Sequence, residues 1–265
     1  MVLLYYRLTQ LAMEKNCLFT LGVCCDGFCY FNQIIYTRYR IKSVEDMRFS
    51  GIKSASSKQW LARQQRDPYV KKAKQDGYRS RAAFKILEID EKFKITKNAK
   101  RIAELGAAPG GWTQVLAQKL SSGLESGEVK IIGVDLLKFA PIPNVKQIIG
   151  NFEDESVKQE IAEYFDGQAI DLVLSDMAPA TVGHAQTDHL RIMRLVEDAL
   201  EFAKETMAEG GSFVAKIFHG TDEKAFFEEL RRNFEKVSYF KPKSSRSMSV
   251  EIYVVAMGFR KCSRI

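Results

Sequence analysis

The apolar positions of this chain change their rhythm near residue 98. Between Ser57 and Phe93 they recur at helical spacing. In SRAAFKILEIDEKF, Ala83, Ile86, Leu87 and Ile89 share one side of a 3.6-residue repeat, and Ser80 is placed to cap it. After Asn98, short β-rich runs alternate with helical stretches. The runs are Arg101–Leu105, Lys130–Leu136, Val145–Ile149, Ile170–Ser175, Gly211–Phe218, Lys236–Phe240 and Ile252–Gly258. The helical stretches are Trp112–Lys119, Glu155–Phe165, Thr187–Met207 and Asp222–Phe234. This alternation predicts an α/β fold, a mainly parallel sheet with helices on both faces.

Residues 1–50 follow neither period. They are rich in Cys, Tyr and Phe and read as an extension of unassigned role, or as translated sequence upstream of a start at Met47. The organisation expected is therefore an extension (1–50), a helical segment (51–97) and a catalytic domain (98–265).

Composition changes the picture in three places. With 46% apolar and 28% charged residues over 265 positions, the chain can bury a core without a metal or disulfide staple. The five cysteines (17, 24, 25, 29 and 262) lack C-x2-C pairing and a neighbouring histidine, so reduced thiols in a cytoplasmic compartment are expected, not zinc. No apolar run reaches the roughly 20 residues of a membrane span, and no secretory signal is evident. No strongly apolar exposed edge is evident either, and a monomer is expected.

Charge is uneven. Ten basic and two acidic residues lie between Lys53 and Lys85, a local +8 in a chain of net +7. Such a segment is either a solvated helical face or a docking surface for a polyanion such as nucleic acid.

Candidate chemistry centres on AELGAAPGGWTQVL, residues 103–116. Gly106, Pro109, Gly110 and Gly111 stand between the first strand and the first crossover helix, where open α/β sheets bind ligands. A helix beginning at Trp112 points free N–H groups there and favours an anionic group. The spacing is neither G-x-G-x-x-G nor a P-loop, which disfavours a dinucleotide and excludes that mode of ATP binding. Asp135 ends the second strand, where an acid accepts from ribose hydroxyls. Asn151 follows the third, where an amide can meet an adenine edge, and Asp176 ends the fourth. Each alone reads as a cap or turn. Three in register describe a ligand with ribose, adenine and a small anionic head, which is S-adenosylmethionine. A sulfonium donor needs an in-line nucleophile and an acceptor for its proton, not a metal.

These motifs, together with SSKQWLARQQRDPYVKKAKQDGYRSRAAFKILEI, GVDLL, LSDMAP, GGSFVAKIF and SSRSMSVEIYVVA, resemble the FtsJ/RrmJ ribosomal RNA 2′-O-methyltransferases from about Ser54 to Gly258. The resemblance implies a Rossmann-like, S-adenosylmethionine-dependent methyltransferase fold with a seven-stranded, mostly parallel sheet. The acceptor it implies is the ribose 2′-hydroxyl of a uridine in large-subunit ribosomal RNA, on the assembled subunit. The family's catalytic set falls on Lys85, Asp176, Lys216 and Glu251. Its donor site falls on Gly106, Gly110, Gly111, Trp112, Asp135, Asn151 and Asp176. One departure is Asn151, where the family member compared carries aspartate; an asparagine still accepts from an adenine amino group.

Chemistry supports the four catalytic positions. A ribose hydroxyl is a poor nucleophile at neutral pH. Lys85 beside Lys216 is expected to push Lys216 toward neutrality, so that it acts as base or orients the oxygen, with Asp176 and Glu251 holding the two ammonium groups. Taken singly, Lys85 and Glu251 are ordinary surface charges and Trp112 is packing at a helix start. Lys71, Lys72, Lys74, Arg79 and Arg81 then form an RNA-docking arm, and Lys241, Lys243 and Arg246 are phosphate contacts near Glu251. His184, His189 and His219 read as surface or loop residues. The alternatives left open are a methyltransferase acting on transfer RNA or messenger RNA caps, and a catalytically silent RNA-binding scaffold.

Overall fold

The computed structural model describes residues 62, 64–178, 184–218, 223–246 and 249–261. The expectations for residues 1–50, for Lys53, Lys58, Arg63 and His219, and for the five cysteines lie outside the described residues.

A seven-stranded sheet organises the fold. Its strands are β1 (Arg101–Leu105), β2 (Lys130–Asp135), β3 (Val145–Ile149), β4 (Ile170–Ser175), β5 (Met207–Phe218), β6 (Phe234–Phe240) and β7 (Glu251–Phe259), in the order β3-β2-β1-β4-β5-β7-β6. The first five pair in parallel, while β7 runs antiparallel to both β5 and β6. The two-residue alternation of strands sends successive side chains to opposite faces. Ile102, Leu172, Leu174, Val214, Tyr253 and Val255 face one side. Ala103, Leu105, Val173, Phe213, Ala215 and Val254 face the other. Both sides are apolar because both are covered, as parallel sheets require.

Three helices cover the first face: α2 (Ala83–Phe93), α3 (Gly111–Lys119) and α4 (Ser121–Ser126). They contribute Ile86 and Ile89, Trp112 and Leu116, and Leu124 to its core. On the second face lie α5 (Glu155–Tyr164), α6 (Ala185–Thr206) and α7 (Glu223–Asn233), through Ile161, Val196 and Leu230 among others. Each fully buried Ile or Leu contributes about 1.5–3 kcal/mol. The remaining helix, α1 (Pro68–Gln75), precedes them. Asp67 caps it by accepting from Tyr69 N at 3.0 Å, and Pro68 occupies its first turn, where no N–H is needed.

Among the described residues, sequence periodicity locates every strand and the main crossover helices. Three local differences have physical reasons. The helix α4 has a single buried residue, Leu124, so no apolar repeat announces it. Met207 begins β5 instead of ending α6, and pairs with Ile170. Ser80 does not cap α2: the N-cap is Ala82, with no side-chain cap bond. The Ser80 hydroxyl is turned toward Gly111 and is buried without a hydrogen-bond partner.

A Cβ at Gly111 would collide with Ser80 Oγ and meet nothing else closer than 3.5 Å. Gly111→Ala is therefore expected to lower stability by about 1–3 kcal/mol in urea denaturation through overpacking. Adding Ser80→Ala, which removes the colliding hydroxyl, should restore most of the loss.

Candidate functional site

The turn after β1 folds back on β2. Gly106 N and Ala107 N both donate to Val134 O, at 2.9 and 3.1 Å, and Ala108 N donates to Asp135 Oδ2 at 2.8 Å. Leu137 N donates to Asp135 Oδ1 at 2.9 Å. Asp135 thus fixes both the glycine turn and the start of the next loop. Each of its oxygens keeps further accepting capacity for a ligand hydroxyl. Gly106 and Gly110 stand at φ +78° and +92°, the left-handed region that glycine enters without strain. The chain itself occupies the space over them: Met177 lies against Gly106, and Arg79 and Phe139 against Gly110. The glycines serve this close packing as well as any ligand.

Beyond the turn, the first N–H groups of α3 point out of the helix end toward the cradle. The Trp112 indole does not. It is 1% exposed, donates from Nε1 to Ala82 O at 2.8 Å, and packs 5.6 Å from the Tyr253 ring. Asn151 makes a local turn after β3, accepting from Glu153 N at 3.3 Å and donating from Nδ2 to Glu153 Oε2 at 3.1 Å. The turn thus presents the start of α3 and the Asp135 carboxylate at the carboxyl end of the sheet, whereas Asp176 is already engaged by Lys216 and Tyr253.

Directly below lies a carboxyl that sequence reading missed. Glu104, the last residue but one of β1, is 1% exposed and accepts from Thr113 Oγ1 at 2.5 Å. Burial, with Asp176 and Asp135 nearby, pushes its pKa up to about 8 against the lowering effect of Thr113. Glu104, Asp135 and Asp176 share strand parity, which crowds three carboxyls on one face. An acidic residue two positions before a glycine turn, flanked by Ala103 and Leu105, is the sequence signal that could have found it.

The four expected catalytic side chains come together. Asp176 sits just past β4, its N–H bonded to Leu105 O at 3.3 Å. The Lys216 ammonium donates to the Asp176 main-chain carbonyl at 2.7 Å and pairs with Oδ1 at 3.1 Å. Lys85, from α2, pairs with Glu251 at 2.7 Å. A fifth residue joins these two pairs. The Tyr253 hydroxyl donates to Asp176 Oδ1 at 2.8 Å and accepts from Lys85 Nζ at 3.1 Å. Ser245 Oγ closes the far end by donating to Glu251 at 3.0 Å. The register explains the arrangement. Lys216 lies directly opposite Tyr253, and Phe218 opposite Glu251, in the antiparallel pairing of β5 with β7.

Burial raises the Asp176 pKa, but Lys216, Lys85 and the hydrogen bonds from Tyr253 and Lys216 outweigh it and hold the carboxyl below its ordinary range. Burial and the two neighbouring carboxylates drive the Tyr253 phenol well above its ordinary value, so it remains a donor. Tyr253 is legible in retrospect: it stands two residues after Glu251 and so shares its face.

The residues expected to meet RNA divide into two groups. Lys71, Lys72 and Lys74 are exposed on α1, with Lys72 also 5.0 Å from the Phe84 ring. The others have partners within the fold. Arg79 donates to the carbonyls of Ala140 and Pro141, bracing the loop after β2. Arg81 and Arg246 both pair with Asp67. Lys241 donates to Ser249 O at 2.8 Å. Lys243 is bonded to Glu88 only through its backbone N–H, and its side chain is exposed. Among the described residues, no group of three or more His, Cys, Asp or Glu could hold a metal ion, and no helix is long and apolar enough to cross a membrane.

Comparison with known proteins adds an independent line. Residues 78–259 match the FtsJ-like methyltransferase family model. The ribosomal RNA large subunit methyltransferase E of Zymomonas mobilis is 51% identical over 208 residues, 78% of this chain and 91% of that protein. The protein of the same name from Novosphingobium aromaticivorans is 49% identical over 216 residues, 82% of this chain and 94% of that protein. Among solved structures, a Plasmodium falciparum protein assigned as a ribosomal RNA methyltransferase superposes with TM-score 0.61 at 32% identity. It covers 69% of this chain and 98% of that one.

Glu104 generates a pH prediction. Its folded pKa of about 8 exceeds the ordinary 4.5. The stabilisation from its protonated form is complete below pH ~4.5 and is lost as pH rises through ~8. Glu104→Gln should remove several kcal/mol of this pH dependence, on the order of 3–5 kcal/mol, in denaturation series from pH 5 to 9.

Proposed function

The chain belongs to the FtsJ-like methyltransferase family, and from that premise we propose that it methylates the ribose 2′-hydroxyl of a uridine in large-subunit ribosomal RNA. The observation that carries the reading is the joined pair of ion pairs, Lys85–Glu251 and Lys216–Asp176, at the carboxyl end of the sheet beside the glycine turn. S-adenosylmethionine supplies a methyl group on a sulfonium leaving group. Asp135 and the N-terminus of α3 hold it, with Gly106, Gly110 and Gly111 shaping the cradle. Asn151 is assigned to the adenine edge. The Trp112 side chain supports the helix from the core, leaving its backbone to face the donor.

The roles of the remaining residues follow from their bonds. Asp176, kept ionised by its neighbours, fixes the Lys216 ammonium from two directions. Lys216 orients the 2′-oxygen so that a lone pair faces the methyl carbon. As the carbon–oxygen bond forms and the donor's methyl–sulfur bond breaks, the hydroxyl proton would go to the Asp176 carboxylate, because the Lys216 ammonium paired with it has no lone pair to accept one. Lys85 and Glu251 hold Tyr253, and through it Asp176. Alignment of the attacking oxygen supplies much of the rate. Lys71, Lys72 and Lys74 give RNA affinity of the salt-dependent, sequence-tolerant kind. The substrate proposed is the assembled large subunit, in the cytoplasm, with the protein acting as a monomer.

Incubation with methyl-labelled S-adenosylmethionine and unmethylated large subunits, naked ribosomal RNA or transfer RNA tests the reading. Label is expected in 2′-O-methyluridine from subunits and is abolished by Lys216→Ala. Label confined to transfer RNA would overturn the substrate, and no label in any acceptor would support a silent scaffold.

Tyr253→Phe removes one hydroxyl from the centre of this array. It is expected to lower the single-turnover rate by about 10- to 100-fold with little change in donor affinity, as befits loss of a charge-assisted hydrogen bond. Charge reversal at Lys71, Lys72 and Lys74 should do the opposite, weakening RNA binding while donor binding measured by calorimetry is unchanged.

A further inference from the structure

An amide side chain presents an acceptor on one side and a donor on the other, and a half-turn exchanges them. At Asn151 that exchange decides which base the side chain suits. Adenine offers a donating 6-amino group beside an accepting N1. Its deaminated counterpart, hypoxanthine, offers an accepting oxygen beside a donating N1–H. An asparagine free to flip suits both.

One residue engages both halves of this amide, with opposite polarity. Oδ1 accepts from the Glu153 main-chain N–H at 3.3 Å, and Nδ2 donates to Glu153 Oε2 at 3.1 Å. A flip would set the amide oxygen against a carboxylate and the amide nitrogen against an N–H, so both bonds would be lost and like would face like. The Glu153 carboxyl is held in turn. It shares a hydrogen bond with Asp198 of α6, whose pKa burial and this neighbour raise, and Arg194 pairs with Asp198 at 3.0 Å. Each half of the amide keeps one further bonding position for a ligand. The surroundings suit a flat heterocycle. Ile149 at the end of β3 pairs with Asp135, and Gly150 N donates to Asp135 O at 3.0 Å, which brings Asn151 to the end of β2. Leu136 and Ile149, at these two strand ends, are 71% and 54% exposed.

Resting on the assignment of Asn151 to the adenine edge, we propose that Glu153 determines the base specificity of the donor site. It locks the Asn151 amide in the orientation that accepts from a 6-amino group and donates to N1, so that the site selects adenosyl over inosyl compounds. Glu153 touches no reacting atom; it is a positioning residue that acts through Asn151. An aspartate at 151 would present an acceptor on both sides and would need no lock, so the role of Glu153 belongs to the asparagine found here.

Calorimetry with S-adenosylhomocysteine and S-inosylhomocysteine, which differ only at the base edge, tests the lock. The wild type should bind the adenosyl compound about 10- to 100-fold more tightly. Glu153→Lys reverses the polarity offered to Nδ2 and should bring the two affinities to within about threefold, by strengthening inosyl and weakening adenosyl binding. Adding Asn151→Asp to Glu153→Lys should restore the adenosyl preference, because a flipped carboxylate still presents only acceptors. A thermal melt reports the folding of each variant. Where Glu153→Lys fails to fold, Glu153→Gln replaces it and should show an intermediate ratio. An unchanged ratio in the Glu153 variant, or equal weakening of both compounds, overturns the lock. If Asn151→Ala abolishes the preference and Glu153→Lys keeps it, the lock alone falls and the adenine assignment stands. A preference that survives Asn151→Ala overturns that assignment and the lock with it, and binding of neither compound overturns the donor site itself.

Discussion

A phenol with no exposed surface must satisfy its hydroxyl inside the protein. Tyr253 does so by donating to Asp176 and accepting from Lys85, at 2.8 and 3.1 Å. That hydroxyl turns two separate ion pairs into one array. On one side Lys216 is fixed by the carboxylate and carbonyl of Asp176. On the other, Lys85 and Glu251 are anchored by Ser245. Charges this deeply placed are costly to bury unless paired and hydrogen bonded. Pairing alone would allow each lysine to relax toward its own carboxylate. The shared phenol couples them, so the position of Lys216 depends on Lys85 of α2 and Glu251 of β7.

The surrounding fold delivers these groups by register. Leu174 and Asp176, Val214 and Lys216, and Glu251, Tyr253 and Val255 alternate along their strands so that the polar member of each set extends the face covered by α2. Lys85 comes from that helix. A helix that periodicity suggested would lead into the domain is therefore part of its core and part of its site. Arg79 ties the same region to the donor cradle, lying against Gly110 while bracing the loop at Ala140 and Pro141. Its backbone N–H also meets Gln114 of α3 at 2.9 Å. Residues expected to serve RNA alone thus hold the shape of the cleft.

Much of this was legible in the sequence, for reasons that can be named. Strand runs such as Arg101–Leu105 and Ile170–Ser175 are mostly apolar and bounded by turn residues, so their limits are sharp. Asp135 and Asp176 are legible because strand ends are the places where such sheets bind ligands. Tyr253 and Glu104 were not, because an aromatic or a single acid within an apolar run looks like core until its neighbours are known. Nor could one dimension show that Arg81 and Arg246 converge on Asp67, since their separations, 14 and 179 residues, leave no local pattern. Trp112 shows the reverse case: its place in a motif suggested ligand contact, whereas its indole fills the space between α3 and Tyr253.

The claim that the two ion pairs act as a unit is tested most directly by a double-mutant cycle on the single-turnover rate of methyl transfer. Lys85→Met, Lys216→Met and the double variant would be compared with the wild type on one RNA substrate. Groups acting through a shared intermediary lose their contributions together, so the double variant should be little slower than Lys216→Met alone. Rate losses that simply multiply would show that Lys85 and Lys216 work independently, and would contradict the role given to Tyr253.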